Sequence, residues 1–519
     1  MSELRNRIRD EALLAKVVSP EDAVRFFRPG MNLGWSGFGS NGNPKVVTMA
    51  LADHVERNGL QGKLRFGVFT GGSVAAEVEN RWAALGMIDR RFPYQLGDVI
   101  RNAVNTGAVR MGDRHLGLYA EELQNGFYTK DSGGRLDLAI VEATAITEEG
   151  GIVLSTTVAA APEIIQLADK VIVEINTALP SFEGMHDIPA LRRPPDKEPY
   201  LIRKIDDRIG TPFVPCGRDK IVAVVESRQA DDGPPLLATD EASERIAAHI
   251  LDFFAFEVRH GRLPRNLHPL QSGIGNIGNA VVGGLAKGDF SGVRIWTEVL
   301  QDTMLEPLES GKFTFASTSG LALSNPGFRR LYDRWESYRR KVVLRPQQIS
   351  NSAELIRRLG VIGMNTPLEI DIYGHANSTH ANGTRLINGI GGSGDFLRNA
   401  YLSLMHTPSA RPSKSDPTGI SCVVPMVTHV DHTEHDLHVF VTEQGLADMR
   451  GLSPVERAQT VIDRCAHPDY RPILQDYLDR AKRECLPKAA GHMPHMLFKV
   501  FRMQQSLVER GTMKIASWD

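Results

Sequence analysis

Three short stretches of this chain combine residue types that could hold an acyl or phosphoryl ligand and react with it. The first, LQSGIGNIGNAV at Leu270 to Val281, contains GIGNIG, a literal Gly-x-Gly-x-x-Gly. In a dinucleotide-binding unit that pattern follows a buried strand and brings a pyrophosphate against backbone N–H groups. The second, VRIWTE, puts a carboxylate, Glu298, at the end of a strand-like run 25 residues after Gly273, where a ribose-binding acid would stand. The third, NGIGGSGDF at Asn388 to Phe396, is another glycine loop.

The dinucleotide reading needs a buried β-branched strand directly before the first glycine, and here LPRNLHPLQS intervenes, with Pro264, His268 and Pro269. That strand is expected to be poor. Glycine loops bring unobstructed N–H groups close to a ligand and serve phosphates, pyrophosphates or a developing oxyanion equally well. Two such loops and one carboxylate suggest acyl chemistry. The plainer alternatives are a flexible strand-to-helix turn for NGIGGSGDF and a first-turn helix carboxylate for Glu298, at the start of a helix expected through Val299 to Met304. At such a helix start the positive helix end would favour the ionised, attacking form.

These loops need strands to carry them. Short β-branched runs alternate with helical patterns: Leu64 to Phe69, Leu136 to Val141, Val171 to Ile175, Val293 to Thr297, Lys341 to Leu344, Ile370 to Tyr373, Cys422 to Val424 and Val439 to Thr442. The alternation implies α/β architecture with mainly parallel sheets, whose ligands sit at the carboxyl ends of the strands. QADDGPPLLAT, Gln229 to Thr239, is the linker candidate, because Pro234 and Pro235 stop regular structure. After it a helix is predicted, N-capped by Thr239 or Asp240, with Ile246, Ile250, Phe253, Phe254 and Val258 on one face and Gly261 at its end. The expected domains are therefore 1–229 and 230–519. SPVERAQTVIDRC and YRPILQDYLDRAKREC predict C-terminal helices with proline in the first turn, wrapping the second domain.

Bulk properties narrow the class. The 519 residues are 42% hydrophobic and 24% charged, ordinary for a globular protein, and include no apolar run long enough to span a bilayer. Sixty Lys and Arg against 62 Asp and Glu leave no field to gather nucleic acid or an anionic membrane, so an anionic ligand must be captured locally. Four scattered cysteines, Cys216, Cys422, Cys465 and Cys485, point to a reducing compartment. The N-terminus carries Glu3, Asp10 and Glu11 and lacks a secretory apolar core, so a cytoplasmic location is expected.

The strings LQSGIGNIGNAV, WTEVLQD, SNSAELIRRLG, IDIYGHANST, NGIGGSGDFLRNAYLS and VTEQGLADMRGLSP resemble, in order and spacing, those of the acetyl-CoA hydrolase/transferase family, which includes succinyl-CoA:acetate CoA-transferases. The resemblance runs from LGWSGFG near Leu33 to the terminal GTMKIASWD. It implies two CoA-transferase-like open α/β domains with the active site between them, coenzyme A as substrate and covalent thioester, small carboxylates as partners and no metal. It also implies a homo-oligomer, most simply a dimer. By the same resemblance Glu298 is the nucleophile, and backbone amides matching Ile274 and Gly392 form the oxyanion hole. CoA is held by Leu270, Gln271, Ser272, Gly273 and Ile274, by Leu368 and Asn388, and by a lysine in TPSARPSKSDPTG. Arg411 or Lys414 matches that lysine, with Lys414 favoured. Glu443 matches a glutamate near the substrate carboxylate, with a core ion pair as the plainer role.

The activity expected is transfer of CoA from a short-chain acyl-CoA (succinyl-, acetyl- or propionyl-CoA) to a small carboxylate such as acetate or succinate. It proceeds through an acyl-glutamyl anhydride and a glutamyl-CoA thioester. Acetyl-CoA hydrolysis is the alternative, a NAD-dependent dehydrogenase on GIGNIG the remote one, and a non-catalytic CoA-binding protein a third. HVDHTEHDLH, His429 to His438, imitates a metal site, but Val430, Leu437 and Val439 read as a loop entering a strand, where the imidazoles fan apart. Ser36, Ser73 and Ser393 lack a Gly-x-Ser-x-Gly elbow apart from Gly392-Ser393-Gly394. Glu174 and His186 are expected to face the cleft.

Overall fold

The computed structural model describes residues 2–195, 197–233 and 238–519, so Pro234 and Pro235 of the expected linker lie outside the described residues. The chain is α/β with largely parallel sheets. It divides into two compact units, Met1–Leu236 with Gly292–Leu359, and Leu237–Ser291 with Gly360–Asp519. Residues 292–359, which carry Glu298, thus belong with the first unit.

The first unit is built on strands β1 (Asn32–Trp35), β2 (Phe66–Phe69), β3 (Ile88–Phe92), β4 (Arg110–Met111), β5 (Leu136–Ile146), β6 (Ile152–Leu154), β7 (Ala168–Asn176) and β8 (Ile221–Ser227), in the order β4-β3-β2-β1-β5-β7-β8. All of these pairs are parallel; β6 adds to β5 antiparallel. The central strands β5, LDLAIVEATAI, and β7, ADKVIVEIN, are buried along nearly their whole length, as near-continuous apolar runs require when both sheet faces are covered. Helix α1 (Val46–Arg57) lays Val47, Leu51 and Val55 into a core with Trp35, Phe66 and Trp82.

Two carboxylates sit side by side in this otherwise apolar centre, Glu142 opposite Glu174 in the β5–β7 register, both fully buried. Burying charge without partners is costly, and the chain around Lys45 provides the partners. Glu174 accepts the backbone N–H groups of Lys45, Val46 and Val47 at 2.7–3.1 Å, at the start of α1. The Lys45 ammonium pairs with Glu142 and, at 2.8 Å, with Asp231.

The later strands are β9 (Leu270–Ser272), β10 (Val293–Trp296), β11 (Val299–Gln301), β12 (Phe313–Thr318), β13 (Gly320–Ala322), β14 (Val342–Leu344), β15 (Ile362–Asn365), β16 (Leu402–His406), β17 (Val439–Thr442) and β18 (Gly445–Asp448). In the first unit β14, β12 and β10 form a parallel run, and β11 pairs parallel with β13. Bridges Thr157–Gly320, Ala159–Pro346 and His186–Leu344 tie them to the N-terminal part of the same unit. A fully buried ion pair, Arg345–Asp187, joins them as well.

In the second unit β9-β15-β16-β17 are parallel neighbours and β18 closes the run antiparallel. The predicted helix is α2 (Glu241–Arg259), capped by the Asp240 carboxylate accepting from Ser243 N at 2.7 Å, with Ile246, Ile250, Phe253 and Phe254 buried. C-terminal helices α3 (Pro454–Cys465) and α4 (Arg471–Cys485) bury Val461, Ile462, Leu474 and Leu478 against Phe440 and Ala447, as their periodicity predicts. No helix among the described residues is long and apolar enough to cross a membrane.

Candidate active site

Glu298 lies just past the carboxyl end of β10, half-buried. The expected helix does not follow it: Val299–Gln301 is strand β11, buried and paired with Gly320–Ala322, and helical turns begin only at Asp302. The helix-end charge argument therefore fails, because the apolar VLQ run is taken up by sheet pairing. Its place is taken by hydrogen bonds. The Glu298 carbonyl accepts Ser319 N (2.8 Å), Gly320 N (3.1 Å) and the Thr318 hydroxyl (2.8 Å), which fixes the main chain. The Asn351 amide donates to Oε1 at 2.6 Å and orients the side chain. Asn351 follows β14 and is itself buried, with its Oδ1 accepting from Ser350 Oγ at 2.7 Å.

The first glycine loop follows a real strand, contrary to the expectation raised by Pro264 and Pro269. Both prolines precede β9, whose Leu270, Gln271 and Ser272 are buried and in register with Ile362–Met364 of β15. The Gln271 side chain accepts Met364 N at 2.9 Å and exchanges hydrogen bonds with the Asn365 amide at 3.1–3.2 Å, so it serves the sheet. A helix (Asn276–Lys287) starts directly after the loop, and a Cβ on Gly278 would stand 2.6 Å from both the Gly273 carbonyl and Ser272 Oγ. Only glycine lets the helix come so close to the strand end. Ile274, by contrast, projects a side chain that is 64% exposed.

The remaining expected residues of the second unit lie on its loops. Leu368, half-buried, follows β15 and donates its N–H to Asn377 O at 2.7 Å. Asn388 is half-buried on the second glycine loop, which turns through Gly391 at φ +63° and enters a helix (Ser393–Asn399) capped by the buried Gly392. Of the two basic candidates after β16, Arg411 spends its guanidinium on Pro367 O at 2.7 Å, whereas Lys414 is exposed on the turn between Ala410–Arg411 and Ile420–Ser421.

Glu443 stands immediately after β17 and is half-buried. Its carboxylate accepts Ser409 N (2.8 Å), the Ser409 hydroxyl and the Gln444 amide (2.9 Å). Burial raises its pKa, but these donors more than offset that and hold it below the usual carboxylate range. Its grip is neutral hydrogen bonding rather than the ion pair that was the plainer expectation.

The histidine-rich stretch is a loop with a single tight turn, Glu434–Asp436, before β17, and its imidazoles separate as expected. His429 pairs with Asp431 at 3.3 Å, His432 turns to Ser393, His435 is exposed, and His438 Nδ1 accepts Ser403 N at 3.1 Å. Glu174 and His186, expected to face the cleft, are both buried within the first unit. Glu174 caps α1, and His186 lies 3.1 Å from Ser155 O; burial lowers its pKa to about 4, against the opposing pull of that hydrogen bond.

Residues 1–226 match the acetyl-CoA hydrolase/transferase N-terminal domain and residues 327–478 the C-terminal domain of that family. The chain is 53% identical over 517 residues to an acetyl-CoA hydrolase of Schizosaccharomyces pombe, covering 99% of both proteins. It belongs to the acetyl-CoA hydrolase/transferase family. An acetyl-CoA hydrolase of Neurospora crassa is 54% identical over 511 residues, covering 98% of this chain and 97% of that protein. Among solved structures, RipA from Yersinia pestis superposes with a TM-score of 0.70 at 23% identity, over 90% of this chain and 98% of RipA, a likeness of fold. Family membership displaces the dehydrogenase expected as the remote alternative on GIGNIG. Both of these relatives carry the acetyl-CoA hydrolase name, the alternative to the transferase activity expected first.

Asn351 lies in SNSAELIRRLG, and the family resemblance implies no role for it. It lies seven residues beyond β14, past the helical turn Gln347–Ser350, so no strand-end pattern marks it. Ser409 carries no sequence signal, since only the fold brings it to Glu443 from 34 positions away, whereas Gln444 is the neighbour of Glu443 in the chain.

Proposed function

We propose that this protein cleaves the thioester of acetyl-CoA through a covalent route on Glu298, with water as the final acceptor. The observation that carries the chemistry is the Glu298 carboxylate, half-buried at a strand end and aimed by the Asn351 amide. The acyl group comes from the names of relatives more than half identical along the whole chain.

In this reading one Glu298 oxygen attacks the acetyl carbonyl. Negative charge grows on the carbonyl oxygen, where main-chain N–H donors at Ile274 and Gly392 would each be worth roughly 3–4 kcal/mol. The thiolate leaves and an acetyl-glutamyl anhydride remains. CoA thiolate then attacks the glutamyl carbonyl, acetate departs, and Glu298 carries CoA as a thioester. Water attacking that thioester releases CoA and restores the carboxylate. Residues at Leu270–Gly273, Leu368, Asn388 and Lys414 hold CoA, with the Lys414 ammonium suited to its phosphates. Glu443 would bear on the carboxylate product.

CoA transfer is the second reading, because a stored glutamyl thioester is open to a carboxylate as readily as to water. Thiol release from acetyl-CoA without acceptor, set against formation of succinyl-CoA or propionyl-CoA when succinate or propionate is added, separates the two. Steady release without acceptor, with CoA found by mass spectrometry on the Glu298 peptide, supports hydrolysis. Turnover only with an acceptor selects transfer. Turnover with an unmodified Glu298 peptide in trapping experiments rejects the covalent route altogether.

A further inference from the structure

We propose that His432 is a positioning residue for the second glycine loop and acts through Ser393. The proposal rests on the reading above, in which the Gly392 main chain meets the acyl oxygen.

Ser393 is the first residue of the helix that follows the loop, and its hydroxyl lies 3.0 Å from Ile390 O and 3.1 Å from His432 Nε2. A hydroxyl has one proton to give. The Ile390 carbonyl can only accept, so the proton goes there and His432 supplies an Nε2–H to the hydroxyl oxygen. This assignment separates two roles that a Ser–His contact could have. A nucleophilic serine needs its proton directed to the imidazole, and here that proton is directed to a carbonyl. The Ser393–Ile390 hydrogen bond brackets the two glycines, tying the residue before Gly391 to the residue after Gly392, and His432 fixes the hydroxyl that makes it.

That tie matters because Gly391 and Gly392 have no side chains to lock them, and Gly391 already occupies the left-handed region. An oxyanion donor displaced by 1 Å loses much of its effect. His432 is well placed to prevent this. It is buried, and its main chain is fixed on both sides, with Ala376 N to His432 O at 2.9 Å and His432 N to Ala376 O at 3.0 Å. The preceding Asp431 carboxylate accepts Ser378 N at 2.6 Å and the Thr379 hydroxyl. The strand-like segment 376–379 therefore holds the imidazole, the imidazole holds the hydroxyl, and the hydroxyl holds the loop.

The test is steady-state kinetics and CoA binding on full-length H432A, H432Q, S393A and S393A/H432A, each checked for its thermal midpoint. We expect H432A to lose roughly 10- to 100-fold in kcat while its KM for acetyl-CoA stays within about threefold, since the loop's aim rather than its occupancy is disturbed. H432Q, which keeps an N–H donor, regains most of the lost rate. The double variant falls no more than about threefold below the weaker single one, because both remove the same tie. Equal losses in kcat, CoA affinity and thermal midpoint with no rescue by Gln overturn the proposal in favour of a purely structural contact. An acyl group found on the Ser393 peptide, or a kcat loss in S393A as deep as that of E298A, overturns it in favour of a nucleophile. The CoA adduct on Glu298 is followed in parallel. If wild type forms none, the covalent reading fails on its own, whatever the His432 variants do; if H432A forms it more slowly than wild type, the positioning role stands.

Discussion

Glu298 and Glu443 are the same side chain in the same topological place, one residue or two beyond a parallel strand, yet they are held differently. Glu443 accepts three donors across its two oxygens, from Ser409 and Gln444, and is kept ionised and still. Glu298 has its main chain fastened by three donors and its carboxylate steered by a side-chain amide. Fixing the backbone and steering the head suits a group that must form and break a covalent bond, whereas saturating the head suits a fixed charge. The two environments share a position at a strand end and differ in which donors reach the main chain and the carboxylate.

Four substitutions break or sharpen this contrast. Glu298→Ala should lower kcat by roughly 10⁴-fold or more in thiol-release assays while CoA still binds in calorimetry, as removal of a covalent nucleophile does elsewhere. Retained turnover would erase the distinction between the two carboxylates. Asn351→Ala should cost roughly 10- to 100-fold in kcat, with the Glu298–CoA adduct forming more slowly, because a loosely aimed nucleophile loses near-attack geometry. Glu443→Gln keeps the shape and removes the charge, and should cost about tenfold, mostly in the step that handles the free carboxylate. A loss as deep as that of Glu298→Ala would assign Glu443 a part in the covalent chemistry.

The smallest effect belongs to Ser409→Ala. Glu443 has a folded pKa below its usual 4.5, so its contribution to stability is present above that value and disappears as pH falls through the lower folded one. Removing the Ser409 hydroxyl should cost about 1 kcal/mol at neutral pH, an amount reduced by Glu443's partial exposure. In urea melts the gap between variant and wild type should narrow as the pH falls through the lowered folded value of Glu443. A gap that widens in acid would mean the hydroxyl is not what holds the carboxylate down.

The strands that position the site were legible because parallel strands buried on both faces are written as unbroken apolar runs, as in Val171 to Ile175 and Val439 to Thr442. Helix α2 was legible from its cap and its stripe. Two local features misled. Prolines four and nine residues ahead of Gly273 concealed a three-residue strand whose ladder is completed by a side chain, Gln271. VLQ after Glu298 continued into a helical pattern, and pairing with Gly320–Ala322, some twenty residues away, overrode it. The candidate site residues were named through family likeness rather than through periodicity. Their supports, Asn351, Ser409 and His432, come from distant segments that no local pattern connects.

The division of the chain bears on how the protein is made. The first unit takes its last 68 residues, Gly292–Leu359, only after residues 237–291, which belong to the second, have left the ribosome. An emerging chain that ended near residue 230 would already contain Lys45, Glu142 and Glu174, but not the strands that Arg345 ties to Asp187. Such a fragment would expose the unfinished side and be prone to self-association, so synthesis must run well past the midpoint before either half can close.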